Sequence, residues 1–169
     1  MPVVSDFGMS VGVRQTRAQD LTVVVDPLDW RRGVHLESGT AAGMADRVFH
    51  DRRTLAASAS EDLDLAGVLT DAFGAAITFV KVKGIFVSAA SANANNVVVG
   101  NATANAWSTL LGATGTITLR PGATVGVMAG ATDATAYAVA AGTGDLLKVA
   151  NSAAGSSVTY DIVIIGTSA

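Results

Sequence analysis

The sequence predicts an all-β protein: a β-sandwich, arranged as a jelly-roll of about eight short strands, with an extended N-terminal arm. Three observations predict this fold class. Segments rich in Val and Ile alternate polar and apolar residues at a period of two, which is typical of half-buried strands. Turn residues separate these segments at the short spacing of sandwiches and barrels. No helical periodicity of any length competes with this pattern.

The composition predicts a covered surface. Half of the 169 residues are hydrophobic, yet only 5% are aromatic and 15% are charged, and 31 are alanine. An ordinary soluble domain carries about 25% charged residues. The low charge content indicates that something covers much of the surface, and further copies of the same chain are the simplest cover. We therefore expect the chain to self-associate.

Charge divides the chain into an arm, residues 1–59, and a sandwich domain, residues 60–169. Seventeen charged residues lie in the first 64 positions, whereas only five lie between positions 84 and 169. The small residues of Leu55–Ser60 fit a flexible connector. Because the arm has few hydrophobic residues, we expect it to lack a core of its own and to pack along a neighbour.

Within the arm, Leu21–Val25 predicts a short strand that stops at Asp26-Pro27, since proline cannot donate to a ladder. A polar turn around Trp30 follows. Residues 41–50 are compatible with a short helix in which the apolar side chains share one stripe.

Eight segments of the sandwich domain predict strands. They are Asp62–Leu65, Ile77–Ser88, Asn96–Gly100, Thr116–Leu119, Thr124–Met128, Tyr137–Val139, Leu146–Val149 and Ser157–Ile165. In the second of these, alternation predicts that Val80, Val82 and Phe86 are buried. Lys81 and Lys83 would then lie on the opposite face, where lysines discourage the pairing of sheet edges. The last segment is apolar on both faces near its end, as expected of a central or covered strand.

Several functional classes are excluded or disfavoured. The chain has no cysteine, which excludes disulfides, thiol nucleophiles and cysteine-ligated metals. A net charge of −3 and a pI of about 5.1 give no electrostatic case for a nucleic-acid partner. No run reaches the length of about 18 apolar residues that spans a bilayer, so no membrane partner is expected. The first residues do not predict a secretory signal.

The candidate catalytic and metal-binding groups are better explained as ordinary surface. His50 lies near Asp46 and Asp51, but a metal site needs three or four convergent ligands and supporting hydrogen bonds. The acids between residues 62 and 71 suggest calcium only weakly, since the EF-hand spacing is absent. We interpret both groups as solvated side chains.

Two serine- and glycine-containing segments also lack the features of an active site. Gly142–Lys148 has no Gly-Lys-Ser/Thr ending of a phosphate loop and fits a hairpin loop. Ser156 and Ser157 have no histidine in the sandwich domain to act as a base. The chain is therefore expected to be non-enzymatic, with no cofactor and no metal.

The residues expected to contact another protein lie in the arm. Trp is a favoured interface anchor, and we assign that role to Trp30, whereas Trp107 fits core packing better. Acids interrupt the arginines of the arm, which suits a polar protein interface rather than a nucleic acid. The predicted contact residues are Leu21, Val23, Val25, Trp30, Arg52 and Arg53.

Five segments of the chain resemble small virion structural proteins of tailed bacteriophages. They are Asp51–Leu65, Leu69–Gly74, Ile77–Phe79, Gly142–Asn151 and Ser157–Gly166. The resemblance covers residues 46–169 and brings no catalytic residue with it. It implies a capsid decoration, or cement, protein that is made in the bacterial host cytoplasm and binds the outer surface of the head. Such a protein would contact the major capsid protein, form dimers or trimers, and stabilise the shell by bridging its subunits.

Two other virion roles are alternatives on the sequence. A tail or neck component, such as a tube, adaptor or fibre base, would be present at low copy number. A carbohydrate-binding module on the virion surface would expose aromatic residues, of which the sandwich domain has few. A wall-degrading hydrolase would need a convergent pair of acids, and no segment offers one.

Overall fold

The computed structural model describes residues 2–169 and is all-β, as predicted, apart from one helical turn. Its twelve strands are β1 (Ser5–Ala18), β2 (Val23–Ser38), β3 (Met44–Ala45), β4 (Arg47–Leu55), β5 (Ser60–Asp64), β6 (Lys81–Ala89), β7 (Val97–Gly100), β8 (Thr116–Leu119), β9 (Thr124–Met128), β10 (Tyr137–Ala138), β11 (Leu146–Asn151) and β12 (Val158–Thr167). The helical turn, α1, is Ser108–Leu111. Within residues 2–169, no helix is long and apolar enough to span a membrane.

Two sheets face each other and form a sandwich. The five-stranded sheet has the order β10-β6-β12-β4, and β9 also pairs with the edge of β6 that β12 leaves open. The four-stranded sheet has the order β5-β11-β7-β8. β12 lies inside the larger sheet, with β4 along one side and β6 along the other, both antiparallel. The end of β12 is apolar on both faces because Ile162 and Ile164 face the other sheet, whereas Val163 and Ile165 face the packed ends of β1 and β2.

The main core lies between these two sheets. Alternate residues of β12 enter it, so the period-two pattern of the sequence corresponds to burial. Its large side chains include Leu63, Phe79, Ile85, Trp107, Leu147, Tyr160, Ile162 and Ile164. Trp107 is buried, which confirms its assignment to core packing, and its Nε1 donates to the carbonyl oxygen of Ala138 at 2.9 Å.

The structure has twelve strands where the sequence predicted about eight. All eight predicted segments contain a strand, and the additional strands lie in the first 55 residues. The predicted short helix at residues 41–50 is wrong, because β3 and β4 occupy that segment. β4 pairs with β12 along its whole length and buries Phe49 and Leu55. A helix could not form this ladder of backbone hydrogen bonds with β12. β4 therefore lies in the sandwich although it falls within the predicted arm of residues 1–59.

The exposed part of the arm is a long β-hairpin formed by β1 and β2. The two strands pair over fourteen positions, from Ser5↔Leu36 to Ala18↔Val23. At about 3.4 Å per residue, this pairing gives a ribbon about 44 Å long. The predicted stop at Pro27 is wrong, because β2 continues to Ser38. Proline is tolerated there because β3 pairs only with Glu37 and Ser38 at the end of β2. The edge of β2 is therefore open at Pro27, where a missing N–H breaks no ladder bond.

A second, smaller core fastens the root of the hairpin to the outer face of the five-stranded sheet. Phe7 of β1 lies against Phe86 of β6, with ring centroids 5.5 Å apart. The other buried members are Leu36, Ala45 and Ile165. Gly84 of β6 lies directly beneath Phe7, and a Cβ added there would be 2.8 Å from the ring. The close approach of hairpin and sheet therefore depends on glycine at this position.

A β-bulge changes the predicted faces of β6. The register of β12 against β6 shifts between Ile165 and Gly166, where β6 carries one extra residue, Lys83. The bulge changes the phase of the alternation, so Val82 points into the core while Phe86 points outward. The prediction that these two side chains share one buried face is therefore wrong.

The bulge also buries Lys83, which the sequence placed on an exposed face. Its Nζ donates to the carbonyl oxygen of Asp133 at 2.6 Å, and burial lowers the pKa of the Lys83 ammonium. Val80 shows the opposite change: it was predicted to be buried and is exposed, since it lies just before β6 begins.

Candidate interaction surface

The exposed length of the hairpin has one apolar face. Directly paired residues of an antiparallel ribbon place their side chains on the same side, so the pairs Val11↔Trp30 and Val13↔Leu28 share a face with Met9. All five side chains are exposed to solvent. We call this set the stripe: Met9, Val11, Val13, Leu28 and Trp30.

The stripe continues the small core at the hairpin root. Phe7 precedes Met9 by two positions on the same face, and Val34 is the cross-strand partner of Phe7. The same face therefore packs on the sandwich at the root and meets solvent further out. Full burial of one such side chain stabilises by roughly 1.5–3 kcal/mol, and the stripe does not obtain that stabilisation in a single chain.

The opposite face of the hairpin is polar. Ser10 pairs with Arg31 and Gly12 with Asp29. The Arg31 guanidinium donates through Nε and Nη2 to the Asp29 carboxylate, at 2.9 Å each. The hairpin is thus amphipathic, with one face suited to a partner and one suited to water.

Opposite charges border the two ends of the stripe. Arg32, at the root end, pairs with Met9 and lies 5.9 Å from the centroid of the Trp30 ring. Asp26, at the tip end, pairs with Gln15. Among residues 2–169, neither of these charges has an ion-pair partner. Both charges are therefore available to a second molecule.

The tip of the hairpin exposes apolar side chains on both faces, with Arg17 opposite Val24 on the stripe face. Its turn is closed by the backbone N–H of Gln19, which donates to the carbonyl oxygen of Thr22 at 2.8 Å. Leu21 in this turn is 99% exposed, and the three residues Val23–Val25 are exposed as well. A side chain as exposed as Leu21 contributes nothing to the packing of a single chain.

The structure brings four of the six predicted contact residues onto the hairpin. These are Leu21, Val23, Val25 and Trp30. Arg52 and Arg53 lie instead on β4 of the sandwich, on opposite faces of that strand. Sequence reasoning missed the remaining members of the stripe, although Met9, Val11 and Val13 alternate with glycine and serine, which is the period-two signal of a half-apolar strand.

Arg52 and Arg53 already have partners within the chain. Arg52 donates through Nε and Nη2 to Asp161 at 2.6 and 2.9 Å, and this pairing holds the pKa of the Asp161 carboxyl below its usual range. Arg53 donates Nε to Glu61 at 2.7 Å and Nη1 to Asp51 at 3.0 Å. A partner would have to share or replace these carboxylates, so the contact role of both arginines stays a prediction.

The Arg53 pair belongs to a network that joins the two sheets along their β4 and β5 edges. Tyr160 of β12 is fully buried, and its hydroxyl donates to Glu61 Oε1 at 2.9 Å. Arg53 occupies the other carboxylate oxygen of Glu61. Burial, together with the charge of Glu61, raises the pKa of Tyr160. Since Glu61 lies on β5, the network fastens that edge strand to the five-stranded sheet.

A histidine at the hairpin root lies between two carboxylates. His35 Nδ1 is 2.7 Å from Asp6 Oδ1, and His35 Nε2 is 3.1 Å from Glu37 Oε1. The hydrogen bond with Asp6, and then that with Glu37, raises the pKa of His35. The protonated ring therefore holds β1 and β2 together more strongly than the neutral ring.

The acidic groups near His50 do not converge on a cation. A groove of about 310 Å³ beside His50 is lined by several acids, including Asp62, Asp64 and Asp71. The Asp71 carboxylate is used locally, since it accepts from the backbone N–H groups of the turn that follows it. Among the described residues, no group of three or more His, Asp or Glu side chains is placed to hold a metal ion.

Comparison with known protein families, curated proteins and solved structures finds no match to the chain.

Proposed function

We propose that the chain is a non-enzymatic capsid decoration protein of a tailed bacteriophage, which binds the outer surface of the head and stabilises the shell by bridging its subunits. The resemblance of residues 46–169 to small virion proteins motivates the proposal. The observation that carries it is the stripe, an apolar surface displayed on a ribbon about 44 Å long. Such an arm can reach a partner that lies beyond its own sandwich.

The arm suits a bridging role because of its length and position. Pressure from packaged DNA strains a capsid, and contacts between subunits must break before the shell opens. A sandwich seated on one subunit can extend its hairpin to a neighbouring copy or subunit. Many repeated contacts then give avidity even where each is weak.

We also infer that the sandwich is a jelly-roll. Eight of its strands form two layers with the orders β4-β12-β6-β9 and β5-β11-β7-β8. In chain order, each of these eight strands lies in the opposite layer from the one before it, except that β7 and β8 lie in the same layer. This is the winding of two Greek keys. The two remaining short strands, β3 and β10, lie outside this scheme.

Copy number in purified particles tests the proposal. Quantitative mass spectrometry should give a ratio to the major capsid protein near one, or a simple fraction such as one half or one third. A ratio of only about a few hundredths, too low for a lattice of repeated contacts, would move the chain to the tail or neck. Absence from the particle would overturn every virion role.

A variant with a shortened hairpin tests the role of the arm. Replacing Met9–Arg32 by Asn-Gly joins Gly8 to Gly33, which already pair across the ribbon, through a two-residue turn that this dipeptide favours. Wild-type protein should rebind capsids stripped of it and raise their resistance to heat, and the shortened variant should do neither. Arg14→Ala, on the polar face, is the control and should bind as the wild type does.

A further inference from the structure

We propose that two copies of the chain pair through their hairpins, antiparallel about a two-fold axis, so that each stripe covers the other. The proposal names the first partner of the arm. It extends the proposed function, because paired arms would join two sandwiches into one bridging unit. The dimer is measured on purified protein, so its failure and the failure of capsid binding are separate results.

Two of the three charges on the stripe face, Arg32 and Asp26, specify this arrangement, while the third, Arg17, lies nearer the tip than either of them. Arg32 and Asp26 lie on the same strand and the same face, six residues apart, and position 29 is midway between them. The two-fold axis lies between the two ribbons, at the level of position 29 and perpendicular to the strands. It sets β2 of one copy face to face with β2 of the other, and the two strands run in opposite directions. Arg32 of each copy then faces Asp26 of its partner, and the two ion pairs lie at the two ends of the contact.

The same axis matches the apolar residues between those charges. Trp30 of one copy faces Leu28 of the other, and on β1 Val11 faces Val13. Two sheets that pack face to face are about 10 Å apart, with interdigitating side chains. A parallel arrangement would set Arg32 against Met9 of the partner and leave Asp26 opposite Gln15, so only the antiparallel one pairs the charges.

The axis also gives the apolar tip a place to bind. It brings Leu21 of one copy level with Val3 and Val4 of the other. Those residues line a groove of about 640 Å³ at the hairpin root, together with Phe73 and Ile77. The axis sets Phe7 and Val34 opposite Arg17 and Val24 of the other copy. Because Phe7 and Val34 already contact the sandwich, the tip leaves the ribbon face before that level and enters the groove beside it.

The contact area is that of a modest dimer. A two-stranded ribbon is about 10 Å wide, and the two ribbons overlap from position 26 to position 32 of each copy, a length of about 24 Å. This overlap presents roughly 240 Å² of projected face, to which the groove adds. A standard interface buries about 800 Å² per partner. We therefore expect a dimer that dissociates on dilution.

Sedimentation equilibrium on charge-reversal variants tests the pairing. Wild-type protein should show a monomer–dimer equilibrium. Arg32→Glu and Asp26→Arg should each raise the dimer dissociation constant at least about tenfold, which is about 1.4 kcal/mol. The double variant should return to within about threefold of wild type, since it restores both ion pairs with exchanged charges. Arg14→Glu makes the same charge change on the polar face and should have no effect.

Three results would overturn the proposal. One is a wild-type protein that stays monomeric at the highest soluble concentration. Another is a dimer that the single reversals leave unchanged. The third is a double variant whose dimer is weakened by both single effects together, which would show that the two charges do not meet.

The groove is tested separately. Phe73→Ser should weaken the dimer, because Phe73 is 75% exposed at the rim of the groove. Val68→Ser is its matched control, since Val68 is 74% exposed but lies outside the groove. Equal effects of the two substitutions would show that the tip does not enter this groove.

Discussion

Tyr160 is a buried residue that joins the two sheets through a hydrogen bond. Tyr160→Phe removes the hydroxyl that donates to Glu61 and leaves the carboxylate with Arg53 alone. A hydrogen bond to a charged group contributes about 1.5–3 kcal/mol, so we expect a loss of about 2 kcal/mol in the free energy of unfolding by urea. Thr54→Val, which removes an exposed hydroxyl pair with Thr159, should cost less than about 0.5 kcal/mol. Equal losses in the two variants would contradict the role of the network.

His35 should make the hairpin root sensitive to pH. Its pKa in the folded chain lies above the ordinary value of 6.5, because Asp6 and Glu37 favour the charged ring. The stabilisation is therefore complete below pH 6.5 and is lost as the pH rises through the raised pKa. We expect the difference in urea midpoint between wild type and His35→Gln to be larger at about pH 5.5 than at about pH 8.5. A difference that is the same at both values would show that His35 does not titrate against these carboxylates.

Single-residue burial followed from the sequence only where the alternation was unbroken. The alternation within Ser157–Ile165 places Tyr160, Ile162 and Ile164 on one face, and all three enter one core. The burial of Lys83 was not predictable, because it depends on an extra residue in β6 opposite the junction of Ile165 and Gly166 in β12. A bulge changes the phase of a strand through its partner, so no periodicity within β6 itself records it.

The docking of the hairpin on the sheet depends on one glycine. Gly84→Ala places a Cβ 2.8 Å from the Phe7 ring, so the ring and the root of β1 must move. We expect faster trypsin cleavage within the hairpin, which contains Arg14 and Arg17, without a change in cleavage of the sandwich. Gly130→Ala is the control, because its Cβ would meet nothing within 4 Å. Unchanged cleavage in Gly84→Ala would show that the root holds the hairpin by other contacts.

Strands in the sandwich were predictable because each has one buried face, whereas in the arm the sequence predicted a strand only at Leu21–Val25, where β2 begins. β1 and the rest of β2 bury almost nothing beyond their root, so composition identified them only as a charged region. The segment 41–50, which holds β3 and the start of β4, was predicted as a helix because Met44 and Val48, four residues apart, fit a helical stripe in isolation. Its pairing with β12, more than a hundred residues away, decides the matter, and a local window contains no trace of that partner.

At the scale of the molecule, four of the six predicted contact residues lie on the hairpin that carries the stripe, but the sequence did not predict the extent of the stripe. Leu21 and Trp30 were both predicted contact residues, Trp30 as an interface anchor, and both are exposed on the hairpin. The face that unites Trp30 with Val11 and Leu28 depends on the cross-strand register. That register is set by the turn at Gln19–Thr22, and nothing in the spacing of the residues fixes where such a turn falls.

The hairpin should contribute little to the free energy of unfolding of the sandwich. The variant in which Asn-Gly replaces Met9–Arg32 keeps Phe7 and Val34 at the root and removes residues that are exposed in the folded chain. We expect its free energy of unfolding to lie within about 1 kcal/mol of wild type at concentrations where both are monomeric. The denaturant slope should also be unchanged, because it scales with the surface newly exposed on unfolding, and these residues add little to that surface. A loss of several kcal/mol, or a clear fall in the slope, would mean that the hairpin folds back on its own sandwich, and its apolar face would then not be available to a second copy.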